Sequence, residues 1–388
     1  MAKRDYLVGG QIDPERGFLP SSDPIQRVPG EFAVWEETAR DLPKLLAAGG
    51  ARSVLDRLPV VHPDADFDDG QNRRAMLLLS YFGHAYVWGG PDAIGRVPPG
   101  VAIPWYEVSQ RLGRPPVLSY ASYALDNWRR LDPSDPIELG NIVLLQNFLG
   151  GMDEEWFILV HVAIEAKAGR ALAAMVAAQD DVARDRPGEV TRRLGIMSES
   201  LQAMYEILLR MPERCDPHIY YRRVRPYIHG WKDHPALPEG VLYEGVDAYG
   251  GRPQKFRGET GAQSSIVPSL DAALGISHKD DPLRPYLIEM RDYMPPEHRR
   301  FIQAMETGPA IRQYVLAHKD NGPLREAYNQ CVDLLQLFRS THLEYARTYI
   351  QKQSQRSQQN PVEVGTGGTP FIAYLKKHRD ETGGHKIA

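Results

Sequence analysis

An apolar stripe near the C-terminus places the strongest constraint on how this 388-residue chain folds. Between residues 324 and 350, apolar side chains recur at steps of three and four, which is the spacing of one face of an α-helix. The stripe consists of Leu324, Tyr328, Cys331, Leu335, Phe338, Tyr345 and Tyr349. His342 occupies the position that completes it. The first prediction is therefore a long helix with one imidazole on its apolar face.

Helical periodicity also dominates the chain between residue 148 and that stripe. An apolar pattern of several turns begins at Trp156, and Asp153 just before it is predicted to cap the helix. A second stripe with helical spacing, predicted to be core, contains Met197, Leu201, Met204, Leu208 and Met211. Alternation typical of strands is not found over any length. We therefore predict a mainly α fold, with a large all-helical C-terminal domain over residues 148–388.

The remaining segments are richer in turn-forming and polar residues. Residues 1–147 contain many prolines and glycines between short helical pieces, which predicts a small, loop-rich N-terminal helical domain. The tract QKQSQRSQQNPVEVGTGGTP is too polar to bury much apolar surface. We predict a mobile lid loop over about residues 351–369 and a terminal helix in FIAYLKKHRDET.

Composition excludes several classes of protein. With 46 Lys+Arg against 50 Asp+Glu, the net charge is only −4, so we expect neither a nucleic acid nor a membrane surface as partner. Cys215 and Cys331 are the only cysteines, which fits a reducing cytoplasm. The motifs HExxH, GxSxG, GxGxxG before a helix and GxxxxGK(S/T) are absent, so zinc hydrolase, serine hydrolase, dinucleotide-binding and P-loop functions lack their signatures.

Two histidines on apolar helix faces are candidate functional residues. His342 completes the stripe described above, and His161 lies in the run WFILVHVAIEA. Either histidine alone is more often a core residue with a satisfied hydrogen bond. An apolar wall with one imidazole is, however, what a non-covalently bound haem requires. Arg339 lies one turn before His342, where its guanidinium is expected to pair with a haem propionate.

Seven segments, in the same order along the chain, resemble the indoleamine 2,3-dioxygenase family, haem enzymes that open the indole ring of tryptophan. They are AYVWG, IPWYEVSQRLGRPP, HGWKDHPALPEGVLYEGV, FRGETGAQSS, MRDYMPPEHRRF, NGPLREAYNQCVDLLQLFRSTHLEYARTYI and GTGGTPFIAYLK. The resemblance runs from about Gly17 to the C-terminus. It implies a small N-terminal domain that covers the distal pocket of a large helical haem-binding domain.

The resemblance also implies roles for individual residues. His342 matches the proximal ligand of the iron of haem b, and Arg225 matches the arginine that binds the substrate carboxylate. Gly261 lies where the backbone approaches haem and substrate closely, and Thr366 matches the lid residue that closes over the amino acid. The implied pocket lining is Tyr120, Tyr123, Phe157, His161, Tyr220 and Tyr221.

The implied reaction is cleavage of the indole C2–C3 bond of L-tryptophan by O2 on ferrous haem, which gives N-formylkynurenine. An unidentified electron donor would keep the iron ferrous. His161 stands where animal members carry a serine, so its imidazole is expected to accept the indole N–H. Tyr120, Tyr123 and Tyr220 make the pocket more polar than in animal members, so a substituted indole stays open as substrate.

Three other functions stay open on the sequence. A relative on the same scaffold could monooxygenate or rearrange a modified tryptophan. A non-enzymatic protein could bind O2 or haem, and a helical interaction module would bind no haem at all. The presence of Arg225 and of GTGGT favours an enzyme, because an oxygen carrier needs neither a carboxylate clamp nor a lid.

Overall fold

The first part of the chain folds around one buried helix. The computed structural model describes residues 12–278, 283–354 and 372–388. Its first helices are α1 (Ala33–Ala47), α2 (Ala51–Leu55), α3 (Asp69–Trp88) and α4 (Pro99–Leu112). Helix α3 begins at a capping box in which Asp68 and Gln71 each accept the backbone N–H of the other. Its residues 74–87 are all buried, so α3 is the centre of this part of the fold.

Longer helices form the second part. They are α5 (Met152–Ala183), α6 (Pro187–Leu208), α7 (Ile266–Leu274), α8 (Leu283–Met290), α9 (Pro296–Thr307), α10 (Ile311–Ala317), α11 (Gly322–Ala346) and α12 (Ile372–Gly383). Helix α6 packs along both α5 and α11, and α12 packs on α11. Shorter helical turns lie at Pro217–Ile219, Arg225–Ile228 and Lys352–Ser354. The terminal helix predicted from the sequence is confirmed as α12.

Three π-helical turns and a few short strands complete the described structure. The π-turns are Ala121–Leu125, Tyr220–Val224 and Arg347–Gln351. Strands β1 (Arg96–Val97) and β4 (Leu242–Tyr243) pair in parallel. Strands β2 (Trp128–Arg130) and β3 (Ile142–Leu144) pair antiparallel. No strand of the described residues is longer than these, and the predicted mainly α fold class is confirmed.

Two apolar clusters form the interior. The first is built on α1, α3 and α4 and also takes in Trp231, Val241 and Tyr293 from later in the chain. The second is built on α6, α7, α9 and α11, and all five residues of the predicted Met and Leu stripe are buried in it. Helix α5 contributes to both clusters. Because residues after 228 pack with the first cluster, the domain boundary between residues 147 and 148 stays a prediction.

Two local predictions need correction. Helix α5 is capped by Gly151 and not by Asp153, which instead accepts the backbone N–H of Asp216 at 2.6 Å. The buried Glu154 carboxylate accepts the N–H groups of residues 148–150 and so ties the preceding loop to the first turn of the helix. Residues 351–354, predicted as the start of a loop, continue the helix, with Gln353 and Ser354 buried. The rest of the predicted lid lies outside the described residues.

A helix that crosses a membrane must be both long and apolar. In the described part of the chain, no helix combines the length and the apolar character needed to cross a membrane.

Candidate functional site

His342 is the exposed position on a largely buried helix face. In its stripe, Leu335 is fully buried and Phe338 is half-buried, whereas the imidazole is exposed. Burial nevertheless lowers the pKa of His342 to about 4, with further lowering by the charges of His161 and Arg339. Both observations hold if the ring faces an internal space surrounded by protein atoms and not the outer surface.

The imidazole of His342 is also available as a ligand. Its lowered pKa makes it neutral at neutral pH, and neither ring nitrogen has a hydrogen-bond partner among the described residues. A neutral imidazole nitrogen with a free lone pair is the form that binds iron. The nitrogens of core histidines usually have hydrogen-bond partners, so His342 does not have the features of an ordinary core histidine.

His161 of α5 is half-buried and has a defined tautomer. Its Nδ1 lies 2.7 Å from the carbonyl oxygen of Phe157, which can only accept, so Nδ1 carries the proton. Burial lowers the pKa of His161, so the ring is neutral and Nε2 keeps its lone pair. The backbone of α5 therefore presents Nε2 as a hydrogen-bond acceptor.

Aromatic rings form the wall around His161. The ring of Phe157 lies 4.7 Å from that of His161 and 4.6 Å from that of Tyr220. Tyr120 approaches His161 edge-on at 6.0 Å, and Tyr123 lies 6.4 Å from Phe157. The structure thus brings together five of the residues predicted from the sequence, from three segments of the chain. These rings form an apolar surface suited to a flat aromatic ligand.

Two of the π-turns position these tyrosines. Tyr123 lies within Ala121–Leu125, and Tyr220 and Tyr221 lie within Tyr220–Val224. A π-turn inserts one extra residue into a helix and re-aims the side chains beside it, which is why such turns are frequent at functional sites. Apolar periodicity in the sequence gave no signal for either π-turn.

Arg225 follows the second π-turn and is almost completely buried. It is 1% exposed, whereas its neighbours Arg222 and Arg223 are exposed. Its Nη1 donates to Nε2 of His229 at 3.0 Å, and its guanidinium lies 5.3 Å from the centre of the Tyr221 ring. His229 accepts as a neutral ring because burial, and then the charge of Arg225, lower its pKa far below the usual value. Neither contact neutralises the guanidinium charge.

A buried carboxyl that the sequence did not single out lies one turn after His161. Oε1 of Glu165 accepts hydrogen bonds from the Tyr120 hydroxyl and the Ser264 hydroxyl, both at 2.9 Å. Burial raises the pKa of Glu165 to about 7 despite these two hydrogen bonds. Burial likewise raises the pKa of Glu259 to about 8. Carboxyls with such pKa values can be protonated at neutral pH.

Gly261 faces open space. A Cβ atom built on Gly261 would meet no other atom within 4 Å, and the residue is exposed. The preceding residue, Thr260, caps the short turn Gly261–Gln263. Gln263 in turn accepts the backbone N–H of Tyr120, which ties this loop to the aromatic wall. The open space at Gly261 therefore lies beside a loop that is tied to the aromatic wall.

Arg339 has partners other than the predicted propionate. Its guanidinium donates to the Asp271 carboxylate at 2.6 Å and to the Thr382 hydroxyl of α12. A buried guanidinium requires a counter-charge, and Asp271 supplies it. The predicted pairing of Arg339 with a haem propionate stays a prediction. Thr366 lies outside the described residues, so its predicted role as lid stays a prediction.

The described residues fit a haem at this place. The exposed imidazole of His342 is neutral and has no hydrogen-bond partner among the described residues, and the charge of His161 contributes to the lowering of its pKa. A Cβ atom on Gly261 would meet no other atom within 4 Å. Haem needs open space, apolar walls and one nitrogen for its iron. This fit is independent of any resemblance to other proteins.

The chain is similar to known proteins over nearly its whole length. Residues 9–385 match the family model described as indoleamine 2,3-dioxygenase. Indoleamine 2,3-dioxygenase 1 of Rattus norvegicus is 38% identical, with 98% of this chain and 95% of the relative covered. Indoleamine 2,3-dioxygenase of Saccharomyces cerevisiae is 32% identical, with 96% and 91% covered. A 6-hydroxytryptophan 2,3-dioxygenase of Fusarium equiseti is 31% identical, with 94% of each chain covered.

Proposed function

Because the chain belongs to the indoleamine 2,3-dioxygenase family, we propose that it is a haem-dependent dioxygenase that cleaves the indole C2–C3 bond of L-tryptophan, or of a close indole derivative, with O2. The product would be N-formylkynurenine. The single observation that carries this proposal is the exposed imidazole of His342, which is neutral and has no hydrogen-bond partner among the described residues.

His342 would hold haem b, with one imidazole nitrogen as the ligand of its iron. Its helix α11 is fixed by buried contacts on either side of the imidazole, at Leu335 and Leu343, so the nitrogen has a defined position. When bound, the haem supplies the activation of O2 toward the indole C2=C3 bond. The physiological electron donor that would keep the iron ferrous is not identified.

His161 would orient the indole. Its Nε2 lone pair can accept the indole N–H, because Nδ1–H is already held by the carbonyl of Phe157. The neighbouring rings of Phe157 and Tyr220 would pack on the faces of the indole and exclude water. Indole is nucleophilic without deprotonation, so His161 would act by positioning and not as an obligatory base.

Arg225 would bind the carboxylate of the amino acid. A guanidinium forms two parallel hydrogen bonds with a carboxylate, and burial strengthens them because water does not compete. The ring of Tyr221 and the imidazole of His229 hold the guanidinium in place without neutralising it. We include Tyr120, Tyr123, Gly261 and Thr366 in the proposed substrate site on the resemblance described above.

The test uses the reduced holoprotein. After anaerobic reduction, addition of L-tryptophan and air should give the ring-opened product, followed by its near-ultraviolet absorption. With 18O2, two labelled atoms in the product support a dioxygenase. One labelled atom would instead support a monooxygenase on the same scaffold, and no product with any indole would contradict an enzyme.

A hydroxylated tryptophan is the second candidate substrate. The Tyr123 hydroxyl is buried and has no hydrogen-bond partner among the described residues. A buried polar group without a partner is costly, and a substrate hydroxyl would supply one. The relative from Fusarium equiseti carries the name of a 6-hydroxytryptophan 2,3-dioxygenase. The ratio of kcat/KM for 6-hydroxytryptophan and tryptophan distinguishes the two candidates.

A non-enzymatic haem protein is less well supported. A buried arginine beside an aromatic wall serves an anionic aromatic ligand and gives no advantage to an oxygen carrier.

We further propose a cytoplasmic location, which two buried free cysteines would tolerate.

A further inference from the structure

A second cluster of ligand-type side chains lies where the C-terminal helix docks. His378 and Glu381 occupy positions three apart on α12, so they share one face of that helix. His278 follows the end of α7 and meets them there. One nitrogen or oxygen atom from each of the three residues lies within 4.8 Å of the others.

His278 already contacts both of the other side chains. The rings of His278 and His378 are stacked, with their centres 4.0 Å apart and their planes inclined by 17°. Nδ1 of His278 lies 2.8 Å from Oε2 of Glu381. All three residues are buried or half-buried, which limits the rotamers that they lose on binding a ligand.

We propose that His278, His378 and Glu381 form a binding site for a divalent transition metal ion, with Zn²⁺ as the best match. Two imidazoles and one carboxylate are ligands that Zn²⁺ accepts at about 2.0–2.2 Å, with water in the fourth position. Ligand atoms of a tetrahedral site lie roughly 3.3 Å apart at that bond length. Because the stacked rings of His278 and His378 direct their nitrogen lone pairs in parallel, one ring must turn on binding so that both nitrogens point at the ion.

The neighbouring residues provide the outer shell that such a site needs. The metal ion would replace the proton between His278 Nδ1 and Glu381 Oε2, and that proton would leave to solvent. His278 Nε2 would keep its N–H directed at Oδ2 of Asp271, 3.3 Å away. Asp271 is itself held by Arg339 at 2.6 Å. A carboxylate that orients a ligating histidine in this way is the usual second partner at zinc sites.

The ammonium of Lys377 would repel a metal ion at this site. Lys377 Nζ lies 3.6 Å from Oε1 of Glu381. The lysine side chain is 31% exposed, so it can move into solvent when Glu381 binds the metal ion. Its loss as a partner costs little, because ion pairs at the surface contribute about 0–1 kcal/mol.

A bound metal ion would join α12 to the end of α7. Arg339 of α11 already contacts both, through Asp271 and Thr382. The ion would add a second connection between α7 and α12. We infer that the C-terminal helix is held by a metal staple that is independent of the proposed haem and substrate.

The experiment measures zinc on the untagged holoprotein. The protein is treated with EDTA, dialysed against micromolar Zn²⁺ and analysed for zinc and iron separately, and affinity is measured by competition with a chromophoric chelator. The variants are His378→Ala and Glu381→Gln. The matched control is His62→Gln, because His62 and Glu107 form the same 2.8 Å contact at an exposed position.

We expect one zinc ion per chain in addition to iron, a higher Tm with Zn²⁺, and at least tenfold weaker binding in His378→Ala and Glu381→Gln. His62→Gln should bind as the wild type does. An unchanged Soret band in each variant shows that it is folded. The proposal is overturned if the wild type retains no zinc, or if both variants bind zinc as tightly as the wild type. Neither result depends on dioxygenase activity.

Discussion

Replacing Glu165 with glutamine should make the protein relatively more stable as the pH rises. Glu165 is fully buried, and Oε1 accepts both of its hydrogen bonds, from Tyr120 and Ser264. Oε2 has no partner among the described residues. Glutamine has the same shape and keeps an oxygen for both donors. The substitution therefore removes the titration and little else.

The magnitude follows from the shifted pKa. Burial raises the pKa of Glu165 from 4.5 to about 7 in the folded protein. Ionisation of this carboxyl is thus easier in the unfolded chain, so Glu165 lowers the free energy of unfolding as the pH rises from 4.5 through 7. A shift of this size corresponds to about 3 kcal/mol, of which about 2–3 kcal/mol falls between pH 5 and 8.5.

The assay is guanidinium unfolding of wild type and Glu165→Gln, with equal haem content, at several pH values. The difference in unfolding free energy, variant minus wild type, should increase by about 2–3 kcal/mol between pH 5 and 8.5. A difference that stays constant within about 0.5 kcal/mol would refute the buried carboxyl with a raised pKa. Glu37→Gln, which replaces an exposed glutamate, serves as the control.

Three further substitutions test the proposed site. His161→Ala should keep haem but lower kcat/KM for tryptophan roughly fivefold, the value of about 1 kcal/mol for one hydrogen bond; unchanged tryptophan kinetics would contradict the assignment. Arg225→Ala should raise KM for amino-acid substrates roughly 30- to 150-fold, about 2–3 kcal/mol, and hardly change it for indole; an equal rise for both would exclude a carboxylate clamp. Gly261→Leu should leave the Tm of the haem-free protein unchanged, because its side chain meets open space, yet reduce haem or substrate binding; normal loading and kinetics would show that the space is not used.

Helices and the imidazole could be predicted because both depend on local periodicity. The stripe of α11 gives the right helix, and His342 is the polar position within that stripe. The run of three arginines at residues 222–225 is less informative on its own. Arg222 and Arg223 are exposed, as a charged run usually is, and only the resemblance selected Arg225, which is buried.

Contacts between distant segments could not be predicted. Asp271 lies 68 residues before Arg339 in the chain, and no sequence pattern indicates that its carboxylate pairs with the Arg339 guanidinium. The buried carboxyl of Glu165 was missed because a glutamate on a helix normally faces solvent. Its burial follows from two hydroxyl donors that come from other segments.

The most direct test of the account is the axial ligand of the iron. The Fe–histidine stretch of the ferrous protein is measured by resonance Raman spectroscopy for wild type, His342→Gly and, as a control, His161→Ala. The stretch should be present in wild type and in His161→Ala. His342→Gly should lose both the stretch and most of its haem, and added imidazole should restore the stretch. Full haem content with an unchanged Fe–histidine stretch in His342→Gly would contradict the account.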